Sequence, residues 1–294
     1  MTNTIRLRRS ALFMPASNAR AVAKARSLPV DVVILDLEDA VAPDAKAAAR
    51  EQAVMALREG FGPRETVVRI NGIGTLGHGA DLAAVAAAAP DAVLVPKVTG
   101  AAEVHLLARA LDETGSDSRL WLMIESAAAV LNIREIAAAC TETGRVAAFV
   151  MGPNDLARET RARLVPGRAP MLPWLMDCLA AARVAGVDIL DGVYNDIADV
   201  DGFARECEQG REMGFDGKTL IHPSQIAACN AAFSPSVADL KEARAIAAAF
   251  ARPEAAGQGV IMIDGRMVER LHAEMAARTL ALADAIARRE AETR

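Results

Sequence analysis

The chain has 294 residues, of which 52% are hydrophobic and 24% charged, and its net charge is -5. This balance excludes a disordered or collagen-like chain, and the negative charge makes nucleic acid an unfavourable partner. No apolar run reaches the roughly 20 residues of a membrane span, and the apolar stretch after the first arginines ends at Pro15, too early for a signal peptide. We therefore expect a cytoplasmic protein with no membrane partner.

Short apolar runs recur along the chain, and each precedes an alanine-rich stretch with helical periodicity. The runs are continuous rather than alternating, as expected for strands that are covered on both faces. The predicted strands are Ser10–Pro15, Val32–Asp39, Thr66–Ile70, Ala92–Val98, Leu120–Glu125, Ala147–Gly152, Asp188–Tyr194 and Lys218–His222. The predicted helices are Asn18–Ser27, Asp44–Glu59, Asp81–Ala89, Ala101–Thr114, Val130–Cys140, Leu172–Ala185, Val200–Met213 and Ser224–Ala231.

Eight such strand–helix units predict an α/β fold, a closed (β/α)8 TIM barrel over residues 1–232. A doubly wound open sheet is the alternative, but no GxGxxG motif follows the first strand to support it. Residues 233–294 are predicted to form a C-terminal helical extension. It contains a helix near Val237–Phe250, a Pro- and Gly-bearing joint at Arg252–Gly259, and a helix from Met267 to Arg289. Such an extension packs on its own barrel or reaches a neighbouring subunit.

Charged residues stand at the ends of several predicted strands, and these ends meet at one mouth of a barrel. They include Asp36, Glu38, Asp39 and Asp191. Glu125 and Asp155 are two separated carboxylates that suit Mg²⁺, which prefers oxygen ligands and keeps positions for water or substrate. Arg69 and Lys97 supply positive charge for an anionic substrate. The alternative is a closed ring of salt bridges that only supports the barrel. The four cysteines and four histidines lack metal-ligand spacing, which argues against zinc.

At the level of motifs the chain resembles the citrate lyase beta-subunit-like enzymes, which include malyl-CoA and citramalyl-CoA lyases. The resemblance covers nearly the whole chain. Its motifs are RSALFMP from Arg9, LDLEDAVAPDAKAAAR from Leu35, VVRING from Val67, VPKV from Val95, IES from Ile124, GPNDL from Gly152, DGVYNDIADVDGF from Asp191 and GFDGKTLIHPSQI from Gly214.

The resemblance implies site residues and a metal ion. Glu125 and Asp155 match the family's Mg²⁺ ligands, with Mn²⁺ as an alternative ion, and Glu125 and Arg69 match its substrate-binding residues. The residues that look like CoA contacts are Asn18, Arg20 and Lys24 after the first strand, and the backbone of Thr219 and Leu220 in the last strand.

Two departures from the family pattern affect the expected chemistry. Many relatives carry a Thr-Pro-Trp-Gly-like stretch after the third strand, where this chain has Thr75-Leu76-Gly77-His78 and lacks the tryptophan. Lyase members carry a catalytic Asp in a Met-Ile-Asp-like motif of the tail, which caps a neighbouring subunit's site. Here the matching stretch ends in Glu269, and Asp264 lies five residues earlier. Both are candidate general acid/base groups, or they only cap the last helix.

The resemblance thus predicts a Mg²⁺-dependent CoA-ester lyase that cleaves a 3-hydroxy-dicarboxylyl-CoA of the malyl-CoA or citramalyl-CoA type to an α-keto acid and acetyl-CoA. Its partners would be the CoA thioester, the α-keto acid, and copies of itself in a homo-oligomer, a trimer or a hexamer. One alternative is a malyl-CoA thioesterase. Another is a citrate lyase beta subunit that acts on an acyl carrier protein.

Overall fold

The barrel closes through its first and last strands. The computed structural model describes residues 5–263 and 265–292, and in these residues eight parallel strands form one closed sheet in sequence order. The first strand pairs with the second through Ala11 and Val32, and with the eighth through Ala11 and Thr219. The predicted (β/α)8 barrel is confirmed. An open sheet is excluded because its first and last strands would not pair.

The barrel strands are β1 (Ser10–Pro15), β2 (Val32–Asp36), β3 (Glu65–Arg69), β4 (Ala92–Val95), β5 (Arg119–Ile124), β6 (Val146–Met151), β7 (Asp188–Asp191) and β8 (Gly217–Leu220). The helices between and after them are α1 (Ala19–Ala25), α2 (Lys46–Glu59), α3 (His78–Ala88), α4 (Ala101–Thr114), α5 (Ala127–Leu131), α6 (Ile133–Thr143), α7 (Pro153–Thr160), α8 (Leu172–Ala185), α9 (Val200–Met213) and α10 (Ile226–Ala232). The short helices α5 and α7, which directly follow β5 and β6, were not predicted from the sequence.

Alternate side chains of each strand fill the barrel or pack under the helices. Val32 and Ile34 of β2 belong to the interior cluster, whereas Val33 and Leu35 belong to the outer one. Near the start of the strands Arg8 fills the interior: it binds the buried Glu65 at 2.8 Å and lies over Trp121 at 5.1 Å. The interior is therefore a packed core.

The chain divides into two compact units. Residues 8–233 form the barrel unit, and the described residues from 234 onward, with residues 5–7, form the second. The second unit contains α11 (Val237–Phe250), β9 (Val260–Ile263), β10 (Arg266–Glu269) and α12 (Arg270–Glu292). The strands β9 and β10 form an antiparallel hairpin in which Met262 pairs with Met267.

The hairpin corrects the predicted start of the last helix. Met267, Val268 and Glu269 lie in β10, and the helix begins at Arg270. The turn at Gly265 has a positive φ of 77°, which glycine adopts without strain and which permits the tight reversal. The helix prediction failed because three residues are too few to distinguish the periodicity of a helix from the alternation of a strand. Asp264 lies outside the described residues.

Two further observations concern membrane-spanning helices and the cysteines. Among the described residues, no helix is both long enough and apolar enough to cross a membrane. Cys140, Cys178, Cys207 and Cys229 are all buried free thiols.

Candidate active site

A cavity of about 400 Å³ opens at the carboxyl ends of the strands. Four of the predicted site residues line it: Arg69, Glu125, Asp155 and Thr219. The remaining wall combines carboxylates with apolar side chains, among them Asp36, Asp39, Phe13, Pro15, Met123, Met151, Val193 and Ile221. An apolar pocket with few convergent charged groups is typical of a small-molecule site.

Arg69, at the end of β3, is held by the neighbouring strand. Its Nε and Nη2 donate to the two carboxylate oxygens of Asp36 at 2.7 and 2.6 Å, and its guanidinium lies 4.8 Å over the ring of Phe13. Nη1 lies 3.1 Å from Glu38 Oε2. Burial opposes the charge, but the hydrogen bonds and charge of Asp36 raise the pKa of Arg69 above its ordinary value. Arg69 is therefore a charged, oriented donor whose charge is already balanced.

Lys97 is not among the residues that line the cavity. Its Nζ lies 2.5 Å from Oε1 of the buried Glu38. Burial opposes the charge of Lys97, but the hydrogen bond to Glu38 raises its pKa above the ordinary value. The pKa of Glu38 is also raised, chiefly by its own burial. The ammonium of Lys97 therefore pairs with Glu38 in this structure, and its contribution to substrate binding stays a prediction.

Glu125 follows β5 and is only 2% exposed. Its Oε1 accepts a hydrogen bond from the backbone N–H of Lys97 at 2.8 Å. On the other side lies Gly152, where a Cβ would be 2.8 Å from Oε2 of Glu125, so only glycine leaves room for this carboxylate. Burial, and next the charges of Glu38 and Asp155, raise the pKa of Glu125 to about 7.

Asp155 lies in the first turn of α7, where the helix dipole favours a carboxylate. Pro153 begins this helix, and its fixed φ suits the first helical position. One oxygen of Asp155 contacts Arg158 at 2.5 Å, three residues later on the same helix. The Arg158 side chain is 75% exposed, so this is a surface ion pair of small energy.

The residues present suit a hard divalent cation. Asp36, Asp39, Glu125 and Asp155 line the cavity. Arg69 contacts Asp36, and Arg69 and Lys97 both contact Glu38 beside it. Burial first, and the charges of Glu38 and Asp155 next, raise the pKa of Glu125, and a bound cation would favour its ionised form. Within the described residues no three His, Cys, Asp or Glu side chains form a metal-binding group. Two carboxylates with positions left for water and substrate are typical of Mg²⁺ and not of structural zinc.

The other predicted site residues lie elsewhere. Asn18 caps α1 by accepting from the N–H of Ala21 at 3.0 Å, and Arg20 and Lys24 are exposed on that helix. The side chain of Leu220 belongs to the outer core, so only its backbone is left for a ligand, as expected.

The tail residues belong to the second unit. Glu269 ends β10, and its N–H donates to Nδ1 of His272 at 2.9 Å. Asp264, as noted, is outside the described residues.

Asp191, a charge predicted at the mouth, belongs to a separate buried network. Its oxygens contact Arg168 at 2.7 Å and Lys218 at 2.9 Å, and Lys218 also reaches Glu206 of α9 at 2.8 Å. Despite burial, the charges of Lys218 and Arg168 lower the pKa of Asp191. This network joins strand ends to helix α9 rather than lining the cavity.

Sequence reasoning placed Asp36 and Glu38 at the barrel mouth but did not predict their contacts with Arg69 and Lys97, and it assigned no role to Gly152. Asp36 and Arg69 are register partners on adjacent strands, so opposite charges at two consecutive strand ends were a usable signal. No sequence signal shows that a Cβ at Gly152 would meet Glu125, because that approach depends on the β5–β6 geometry.

Comparisons with known proteins agree with this fold. The HpcH/HpaI aldolase/citrate lyase family matches residues 9–223. A (3S)-malyl-CoA thioesterase of Cereibacter sphaeroides is 49% identical over 95% of both chains. The citrate lyase beta subunit of Leuconostoc mesenteroides subsp. cremoris is 33% identical, over 96% of this chain and 95% of its own. The crystal structure of CitE from Mycobacterium tuberculosis in complex with magnesium, acetoacetate and coenzyme A has a TM-score of 0.76 and 33% identity, covering 94% of this chain and 97% of that one.

The closed (β/α)8 barrel, with its cavity at the carboxyl ends of the strands, defines the class: a TIM-barrel protein. Within that class the chain belongs to the HpcH/HpaI aldolase/citrate lyase family.

Proposed function

We propose that this protein is a Mg²⁺-dependent enzyme that acts on a 3-hydroxy-dicarboxylyl thioester of coenzyme A, of the malyl-CoA type. The observation that carries the proposal is the grouping of Glu125, Asp155 and Arg69 around one cavity. The (3S)-malyl-CoA thioesterases, at 46–49% identity, support the acyl group. The CitE complex with magnesium and coenzyme A supports the metal and the carrier.

Glu125 and Asp155 would hold the metal. When bound, Mg²⁺ would supply a Lewis acid and a template for the oxygens of a hydroxy acid. Arg69 would donate to oxygens that gain negative charge, in an orientation already set by Asp36. Phe13, Met123 and Met151 would restrict water around the reacting acyl group. Asn18, Arg20, Lys24 and the backbone of Thr219 and Leu220 are proposed CoA contacts.

Thioester hydrolysis is our first candidate reaction, although the sequence alone favoured the carbon–carbon lyase. Water would add to the thioester carbonyl, and the bond to sulfur would break to release a dicarboxylic acid and the CoA thiol. The thioesterase relatives support this choice. Glu269, where lyase members carry an Asp, is a second reason. As the proposed general base, Glu269 would take a proton from the attacking water.

Lyase cleavage is the second candidate, favoured by the citrate lyase beta subunits at 32–33% identity. Glu269 would take the proton of the hydroxyl as the bond between the hydroxyl-bearing carbon and the carbon next to the thioester breaks, giving an α-keto acid and an acetyl-CoA enolate. Glu269 would then protonate the enolate carbon. A thioester carried by an acyl carrier protein remains the alternative substrate of this candidate.

We propose further that the protein is a homo-oligomer in which the tail caps a neighbouring subunit's site. The second unit exposes large apolar side chains: Val260, Met262, Met267, Leu271 and Met275. Met262 and Met267 are cross-strand partners in the hairpin, and exposed apolar surface of this kind commonly marks an interface. A trimer or a hexamer would satisfy the proposal.

The test is incubation with malyl-CoA, citramalyl-CoA and their acyl carrier protein counterparts, with and without Mg²⁺, followed by product analysis. Free thiol with malate supports hydrolysis, and acetyl-CoA with glyoxylate supports the lyase. Glu125→Gln and Asp155→Asn should each abolish the Mg²⁺-dependent rate in a folded protein. Turnover that is unchanged in EDTA would refute the metal role, and inertness toward every thioester would refute the substrate class.

A further inference from the structure

The loop after β4 contains a backbone conformation that its residue type makes costly. Lys97 has a positive φ of 55°, in the left-handed region, which a residue with a Cβ adopts under strain and glycine adopts freely. A lysine at such a position suggests that its side chain has a function, since backbone strain is concentrated at functional sites.

Two separate contacts begin at Lys97. Its backbone N–H donates to Glu125 Oε1 at 2.8 Å, and its Nζ lies 2.5 Å from Glu38 Oε1. The second oxygen of Glu38 is 3.1 Å from Nη1 of Arg69. One residue thus contacts a carboxylate of the proposed metal site and the carboxylate that flanks the substrate arginine.

We propose that Lys97 is a positioning residue that holds both halves of the active site through its left-handed backbone and its ammonium group. The inference deepens the proposed function and rests on it. The N–H occupies Oε1 of Glu125 and so leaves Oε2 as the free oxygen of that carboxylate. The ammonium balances the charge of Glu38, so that Arg69 need not do so alone and keeps its remaining donors for a substrate anion.

The ammonium contact is tested by kinetics with malyl-CoA. Lys97→Met removes the charge but keeps a side chain of similar length. Arg69 alone then balances the charge of Glu38, so fewer of its N–H groups are available to the anionic substrate. We expect KM to rise about tenfold or more, because Arg69 binds the anion less well, and kcat/KM to fall by at least as much. Lys97→Arg keeps the charge and should restore KM to within about threefold. Lys241→Met, which removes one positive charge from exposed helix α11, should behave as wild type.

Wild-type KM in Lys97→Met would overturn this contact, and so would a loss confined to kcat. Failure of Lys97→Arg to restore KM would also overturn it, since a charge is what the proposal requires.

The backbone contact is tested without turnover, by titrating Mn²⁺ and recording its electron paramagnetic resonance. Asparagine and glycine adopt positive φ, so Lys97→Asn and Lys97→Gly should bind Mn²⁺ within about twofold of wild type despite losing the ammonium. A β-branched residue resists that region, so folded Lys97→Val should bind about tenfold more weakly. Tenfold weaker binding by Lys97→Asn and Lys97→Gly would overturn the backbone contact, whether or not Lys97→Val folds.

The same titration separates this inference from the proposed function. If wild type binds no Mn²⁺, or Glu125→Gln binds it equally well, the proposed metal site fails whatever the Lys97 variants do. If malyl-CoA is inert, the proposed substrate fails, and the Mn²⁺ titration still decides the backbone contact.

Discussion

The pKa of Glu125 links the stability of the protein to the proposed metal. Its carboxyl is buried beside Glu38 and Asp155, and its pKa is raised to about 7. In the unfolded chain the same group titrates near 4.5. Between these values the folded state holds a proton that the unfolded state has lost, so the free energy of unfolding falls as pH rises. Above pH 7 the loss is complete.

The prediction compares wild type with Glu125→Gln in EDTA. From pH 5 to pH 8 wild type should lose stability relative to the variant, by up to about 3 kcal/mol, because glutamine has no proton to lose. Urea unfolding at several pH values measures this difference. Saturating Mg²⁺ should remove it, since a cation favours the ionised carboxyl. Parallel pH profiles in EDTA would contradict the raised pKa.

Arg69 carries the second prediction at this scale. Lysine keeps its charge but loses the planar fork that meets both oxygens of Asp36. We expect Arg69→Lys to lower kcat/KM by more than about tenfold, or about 1.4 kcal/mol of transition-state stabilisation. Steady-state kinetics on the identified thioester measures it, with Arg211→Lys as a control at an exposed arginine paired with Glu208. Wild-type kinetics would reduce Arg69 to a structural ion pair.

At the scale of elements, the junction between β6 and α7 places the two proposed metal ligands. Gly152 directly follows β6 and lies beside Glu125. Asp155 follows in the first turn of α7. Gly152 has a φ of -113°, so its backbone is not strained and only the missing Cβ matters.

Gly152→Ala should therefore act by displacing Glu125. We expect overpacking to cost about 1–3 kcal/mol of stability and to weaken Mn²⁺ binding about tenfold or more. Gly79→Ala is the matched control, because that glycine lies in helix α3 with open space around its Cβ position. It should keep wild-type Mn²⁺ affinity and gain slightly in stability. Equal Mn²⁺ affinity in both variants would show that Glu125 has room to move.

The elements also show what sequence can predict. Eight apolar runs predicted the closed barrel because buried parallel strands need continuous hydrophobic residues. The same reasoning missed α5 and α7, which are short and start directly at the ends of strands. It placed Arg69 and Glu125 at the mouth because the end of each strand can be recognised where its apolar run stops. It did not predict the ion-pair partners of Lys97 and Asp191, because these depend on side-chain contacts between segments that are distant in the sequence.

At the scale of the whole molecule, the question is whether one chain holds a complete site. Glu269 lies in the second unit, and the site residues lie in the barrel unit. If the tail serves a neighbour, Glu125 and Glu269 of one working site come from different chains. Exchange of an identical element between subunits is a common route to an oligomer.

Mixed oligomers test this arrangement. Glu269→Gln and Glu125→Gln chains, each inactive alone, are co-expressed with different tags and purified through both. Shared sites predict recovery of about a quarter to a third of wild-type activity, because that share of sites draws Glu125 and Glu269 intact from different chains. Glu125→Gln mixed with Asp155→Asn is the control, and it should stay inactive because both residues lie in one barrel unit. An active monomer, or mixed oligomers without recovery, would exclude a shared site, and an active Glu269→Gln chain would remove Glu269 from the chemistry.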